Sequence, residues 1–281
     1  VRRAVVVFVE DKRHLLQQLG CLYTSLKYIQ SNDTDLVVFG TREALIKVPD
    51  DCIKVECELA NNPTEFLQYR FINSISCLTG EQARFLDQYD LILRTDADVF
   101  LTPAWNTFYP DVYTVGQGGY VNDDETRRNI RRIASLYHLR HQGLHNVGST
   151  HYGNAQLVRE VCKLATFITG HILTFEFKDR EGNWPGWYKG VTSMYGCEIA
   201  VNHYVEQIKK DGEKLDYSST SSNSIKNHPH IHCWHTDNLF SKFHFAAGNY
   251  DHLSKEDLNI DKVNEYCLYI ALKSRQYFPT K

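Results

Sequence analysis

Two acids one residue apart, Asp96 and Asp98, interrupt an otherwise apolar stretch, LILRTDADVFL, at residues 91–101. Carboxylates placed this way at a strand end offer hard oxygen ligands to a divalent cation such as Mg2+ or Mn2+. Such a cation bridges nucleotide phosphates and neutralises a departing diphosphate, which lowers the barrier to moving the attached group. The plainer reading is a turn in which Asp96 caps a helix or a loop, but the apolar flanks on both sides favour the metal. A third ligand is expected from the histidines. There are thirteen, and five cluster at His228, His230, His232, His235 and His244. On a strand, His230 and His232 share one face and His235 takes the other, so they do not all reach one ion. The third ligand is therefore His232 or His235.

The elements that would position these groups alternate. Ala4–Val9 (AVVVFV) is a continuous β-branched run, as in a strand covered on both faces. Leu15, Leu19, Leu22, Leu26 and Ile29 recur at helical spacing. Leu36–Phe39 and Ile53–Glu56 read as further strands, Glu65–Leu78 as a helix, and Gln82–Leu86 as a short helical turn before the strand at Leu91. This order predicts parallel βαβ units, an α/β fold with an open, mostly parallel sheet and helices on both faces. Ligands of such sheets bind outside the carboxyl ends of the strands, where Asp96 and Asp98 fall. Further on, Asp124–Leu139, Gln156–Ile168, Cys197–Ile208 and Lys255–Phe278 read as helices. Asp216–Asn227 is serine-rich and reads as a mobile surface loop, and His228–Trp234 as a late strand.

Glu198 is expected in the first turn of its helix, where the dipole favours an anion. There it is either a plain first-turn acid or a general base on an acceptor hydroxyl. Trp184 and Trp187 stand in NWPGWYK, which Pro and Gly keep out of regular structure. They are candidates to stack on an acceptor sugar, although large aromatics more often fill cores. Arg127, Arg128, Arg131 and Arg132 form a basic stripe, most simply a solvated face.

The chain has 281 residues and a net charge of −3, which gives no basic field for nucleic acid. No run of 18 apolar residues spans a bilayer. Eight cysteines without a CxxC pair argue against a zinc ribbon and suit free thiols in a reducing, cytoplasmic setting. The chain opens on Val1, so a Golgi-lumen protein whose anchor lies upstream is the alternative.

Tyr89–Leu101 (YDLILRTDADVFL) resembles the DxD strand of GT-A glycosyltransferases, especially the glycogenin-like and related families. Leu19–Lys27 is similar to their first helix, which follows a nucleotide-binding strand matched by Val5–Val9. His145–Thr150 (HNVGST) is similar to their FNxGxM segment at Asn146 and Gly148, and Tyr195–Tyr204 to the acidic helix that faces the sugar. His232–Lys242 is similar to their late His followed by a Lys. The likeness runs from Val5 to His244, without the Lys-Pro-Trp end of glycogenin. It implies one GT-A domain over 1–281, with residues 1–101 binding the nucleotide sugar and 102–281 building the acceptor side. Val9, Arg70, Asp96, Asn146 and Lys242 would then contact the donor, and Glu198 would serve as base or sugar contact. The implied partners are a nucleotide-sugar donor, with UDP as the nucleotide, and a glycan or glycoprotein acceptor. A looser likeness to viral or algal glycan-building transferases adds UDP-xylose to the candidate donors. Two other classes fit some of the residues. Asp96-Ala97-Asp98-Val99 also satisfies the DxDx[TV] signature of haloacid-dehalogenase-type phosphohydrolases, which place it on their first strand with Asp96 as nucleophile. A non-catalytic carbohydrate-binding module would have no need of two carboxylates beside buried chain.

Overall fold

A computed structural model describes residues 1–234 and 240–277. The strands and helices follow in the order β1 (Arg3–Val9), α1 (Arg13–Ile29), β2 (Thr34–Gly40), α2 (Arg42–Leu45), β3 (Ile53–Glu56), α3 (Asn73–Ser76), β4 (Leu91–Arg94), β5 (Val99–Leu101), β6 (Tyr113–Gln117), α4 (Asp124–Leu136), β7 (Val147–Asn154), α5 (Ala155–His171), α6 (Thr192–Tyr204), β8 (Ile208–Lys210), β9 (Tyr217–Ser218), β10 (His230–His232), α7 (Lys242–Ala246) and α8 (Val263–Ser274). Seven strands form a mixed, mostly parallel sheet in the order β3-β2-β1-β4-β7-β6-β8. Strand β7 runs against both β4 and β6. The expected α/β architecture with flanking helices is present.

The chain divides into two compact units. One holds Cys57–Arg94 and Pro110–Lys210; the other holds Arg2–Glu56, Thr95–Tyr109 and the chain from Asp211 onward. In the second unit, β1 and β2 pair in parallel from Arg3↔Thr34 to Val9↔Gly40. Both strands are almost wholly buried, as their β-branched runs require. A second sheet of order β5-β10-β9 belongs to the same unit. Its core gathers Phe100 of β5, Ile231 of β10 and Phe240 with Val263, Tyr266, Cys267 and Ile270 of α8.

The first unit packs α6 on α5. A Cβ at Gly196 would lie 2.4 Å from Thr169 Oγ1 and 2.6 Å from the Ala165 carbonyl oxygen, so only glycine permits this approach. Three elements of this unit depart from the expected pattern. The segment 64–76 is not one helix but two 3-10 turns, Thr64–Leu67 and Arg70–Ile72, followed by α3. Buried Asn73 accounts for the break. Its side chain accepts from the Ala60 N–H (2.8 Å) and donates to the Arg70 carbonyl (3.1 Å), which competes with helical bonding. Helix α6 begins at Thr192 rather than Cys197 and is followed by the short strand β8. Strand β7 (VGSTHYGN) is buried despite its small and polar residues, which gave no apolar alternation to read. In the second unit, the last helix is confined to α8, with a separate 3-10 turn at Lys255–Asp257.

The most buried charge of the second unit is Arg3, with 0% exposure. Its Nε and Nη2 donate to the Asp33 carboxylate, and its Nη1 to the carbonyls of Trp105 (3.0 Å) and Phe108 (3.1 Å). The guanidinium also lies 4.5 Å from the Trp105 ring and 4.3 Å from the Tyr109 ring. Burial pushes the Asp33 carboxyl up, but the bonds from Arg3 and Tyr109 outweigh it and bring the group to about 2. The unfolded chain therefore binds more protons than the folded chain between about pH 4 and pH 2, and stability falls as pH drops through that window. Asp33→Asn should cost about 3 kcal/mol at neutral pH, because it leaves a buried guanidinium without its charge. Urea denaturation across pH 2 to 7 would show this cost shrinking toward the acid limb; a cost that does not change with pH would contradict the pairing.

Candidate functional site

Asp96 and Asp98 lie in the link between β4 and β5. Two contacts fix the link. Thr95 N donates to the Val6 carbonyl (3.1 Å), and Cys233 N donates to the Asp98 carbonyl (3.0 Å). Beyond it, β5 and β10 pair antiparallel with Val99 opposite His232, which places that imidazole beside Asp98. His232 Nε2 is 3.3 Å from Asp98 Oδ1. One ligand atom from each of Asp96, Asp98 and His232 lies within 4.8 Å of the others. Two carboxylates and one imidazole are a fitting donor set for a hard or borderline divalent ion, and the nitrogen leans it from Mg2+ toward Mn2+. His235, the alternative third ligand, lies outside the described residues.

Lys242, the first residue of α7, donates from Nζ to Asp98 Oδ2. Its helix start is held by Ser241, whose hydroxyl accepts from His244 N (3.3 Å) and whose own N–H donates to the Tyr250 hydroxyl (2.9 Å). Burial raises the Asp98 carboxyl, but His232 and Lys242 outweigh it and hold the group well below the usual carboxylate range. Burial likewise lowers His232, and Asp98 with Asp216 outweighs it, so that imidazole sits well above its ordinary value. The neighbouring His230 answers to burial instead and falls to about 4. Its Nδ1 accepts from Asp216 N (3.0 Å), and its Nε2 lies 2.9 Å from Thr95 Oγ1. Val9, at the end of β1, is buried.

The remaining candidates belong to the first unit, and several are corrected there. Glu198 is not in a first turn; it stands in the middle of α6 with 0% exposure. Its carboxylate accepts from the Tyr120 hydroxyl (2.6 Å), His145 Nδ1 (2.6 Å) and Asn146 N (2.8 Å), with His141 Nε2 at 3.5 Å. Burial raises its pKa, yet the bonds from His141, His145 and Tyr120 lower it below the usual value, so it is a weak base. Held this way, Glu198 is a buried anchor for the segment around Asn146. His141, His145 and Glu198 also lie close enough to hold an ion. Against that, Gly143 N donates to His141 Nδ1 (3.1 Å), which leaves the ring proton on Nε2, facing the carboxylate.

Asn146 has a positive φ of 59°. Its amide bonds to both the N–H and the carbonyl of Val121, so it works as a local clasp. Trp187 is 4% exposed and stacks between Phe177 (5.3 Å) and Tyr195 (4.4 Å), so neither ring face remains for a sugar. Trp184 of the same segment is 54% exposed. Arg70 is partly exposed on a single 3-10 turn. A buried arginine of this unit is Arg94, which donates to the Ser74 carbonyl (3.0 Å) and to the Ser149 carbonyl.

One acid at the metal-competent cluster escaped the sequence reading. Asp216 opens a segment expected to be a mobile loop, yet it is 2% exposed and precedes β9, which pairs in parallel with β10. A lone acid in a serine-rich stretch carries no signal of its own; only the β9–β10 pairing reveals it.

The fold and this cluster define an α/β protein with a group of two carboxylates and an imidazole, close enough together to hold a cation, where a strand ends. The chain belongs to the family described as Domain of unknown function (DUF7164), whose model matches residues 1–279. No curated protein matches it. Among solved structures, the galactosyltransferase LgtC, crystallised with donor and acceptor sugar analogs, aligns at 11% identity and a TM-score of 0.47, over 90% of this chain and 98% of its own. The bifunctional glycosyltransferase WbbM aligns at 10% identity and a TM-score of 0.48, over 85% of this chain and 46% of its own.

Glu198→Gln should destabilise the protein by about 2–3 kcal/mol, because an amide NH2 then faces groups that are themselves donors. Chemical denaturation measures it; a change within about 0.5 kcal/mol, as at an exposed position, would contradict the anchoring role.

Proposed function

We propose that this chain is a metal-dependent GT-A-type glycosyltransferase, acting as one domain over residues 1–281. It moves a sugar from a nucleotide-sugar donor to a hydroxyl of a glycan or glycoprotein acceptor. The donor is a UDP-sugar, with UDP-xylose the first pentose to try beside the UDP-hexoses. The observation that carries the reading is the meeting of Asp96, Asp98 and His232 at the end of β4, with Lys242 on Asp98. The resemblance of Tyr89–Leu101 and His232–Lys242 to the GT-A pattern supports the same reading.

Asp96, Asp98 and His232 would hold Mn2+ or Mg2+, which when bound neutralises charge on the departing diphosphate. Lys242 keeps a positive charge at the same place and supplies a second partner for phosphate oxygens. Asp98 remains ionised because His232 and Lys242 face it, so the oxygens are ready as ligands at neutral pH. Arg70 is retained as a donor contact and Trp184 as an acceptor-stacking ring. The phosphohydrolase reading is not favoured, since the acidic pair follows the fourth strand of the chain instead of ending the first. The reducing compartment fits eight cysteines that are all free and buried. No described helix is long and apolar enough to cross a membrane.

The test is nucleoside diphosphate release from a panel of nucleotide sugars, with and without Mn2+. Release from one sugar donor, abolished by EDTA and lowered at least about 100-fold by Asp98→Ala, is expected for loss of a charged ligand near the reacting phosphates. Lys242→Ala should weaken nucleotide binding while leaving the fold intact. Phosphate release from a monoester without sugar-nucleotide turnover would overturn the reading in favour of a hydrolase.

A further inference from the structure

The geometry points to Asp216 as the residue that holds the His232 ring in place, and so sets the strength of the cation site. This rests on the metal-site reading above. His232 presents its two ring nitrogens to two different carboxylates. Nε2 lies 3.3 Å from Asp98 Oδ1, and Nδ1 lies 3.2 Å from Asp216 Oδ1. With the Asp216 carboxylate behind Nδ1, the ring turns Nε2 to the side of Asp98, where a bound cation would take the place of the Nε2 proton. A carboxylate behind a metal-binding imidazole fixes the tautomer, holds the ring and raises its basicity as a ligand. Asp216 is therefore a positioning residue that acts through His232.

Three features build this arrangement, and none is local in sequence. Strand β9 pairs in parallel with β10, with Ser218 opposite His232, and Ser219 N donates to the His232 carbonyl (3.3 Å). The backbone of Asp216 is left-handed, with φ of 61°, a conformation that Asp and Asn adopt more readily than most residues. Its own N–H donates to His230 Nδ1 (3.0 Å), and His230 Nε2 meets Thr95 Oγ1 (2.9 Å), one residue before the acidic pair. The side chain of Asp216 is fully buried. Asp216 thus grips the two inward histidines of β10, one through its backbone and one through its carboxylate. The groups facing it are His230 and His232 from β10, and beyond His232 the Asp98–Lys242 pair.

Calorimetric titration of the full chain with MnCl2, without nucleotide, tests this. Asp216→Asn keeps an acceptor for Nδ1–H and tolerates the left-handed backbone, but loses the charge; it should bind Mn2+ about 10-fold more weakly than the parent chain. Asp216→Ala removes the acceptor as well, and its loss should approach about 100-fold. With diamagnetic Mg2+ bound, nitrogen-15 NMR of the His232 ring should show a slowly exchanging Nδ1–H in the parent chain and in Asp216→Asn, and a broadened, exchanging one in Asp216→Ala. Thermal melting identifies any variant that fails to fold, and Asp216→Asn keeps the question open to measurement in that case. Equal Mn2+ affinities for parent and Asp216→Asn, with the parent binding one ion, would overturn the role of Asp216 alone. A parent chain that takes up no Mn2+ would instead overturn the metal-site reading, and this inference with it.

Discussion

The Asp98 carboxylate is largely removed from water, 12% exposed, between the imidazole of His232 and the ammonium of Lys242. An acid in that position, left alone, would take up a proton rather than carry an uncompensated charge. Keeping it ionised requires two cationic groups at fixed places, and each needs its own support. His232 is set by the β5–β10 ladder and by Asp216. Lys242 is set by the Ser241 cap and by Tyr250 behind it. Much of the second unit, from the paired strands to the packing of α8 on Phe100 and Ile231, serves to hold those supports in register.

That balance also says what chemistry suits the place. Carboxylates and an imidazole gathered at a strand end, with a lysine alongside, present ligands for a cation and a cation for an anion within one small volume. A diphosphate with its counter-ion satisfies both. The Glu198 cluster in the first unit has the opposite character. There the donors point inward at a single carboxylate, and the outcome is a rigid joint between α6 and the segment around Asn146. Two groupings with similar residue types thus differ in setting: one sets carboxylates against a lysine and an imidazole at a strand end, the other closes neutral donors on a fully buried acid.

The parts of this picture that sequence made legible are those written in local pattern. The apolar run at Ala4–Val9, the stripe of α1 and the flanks of the acidic pair each follow from strand or helix period. His230 and His232 fall on one face because a strand alternates. What was not legible depends on partners distant in the chain. Strand β7 is small and polar and reads as a loop until its neighbours cover it. The start of α6 at Thr192 has no capping side chain to announce it, so Glu198 was placed a turn and a half too early in its helix. Trp187 and Trp184 stand three residues apart in one irregular segment, and only packing decides which is covered. Asp216 lies in a stretch whose composition suggests mobility, and its burial follows from a two-residue strand.

The central claim is that one divalent ion sits among Asp96, Asp98 and His232. Anomalous diffraction at the manganese edge, from crystals soaked with Mn2+ and a nucleoside diphosphate, tests it most directly. The account predicts a single strong peak within bonding distance of those three side chains, with phosphate density on its open side. A peak elsewhere, or phosphates bound with no metal beside the acidic pair, would contradict it.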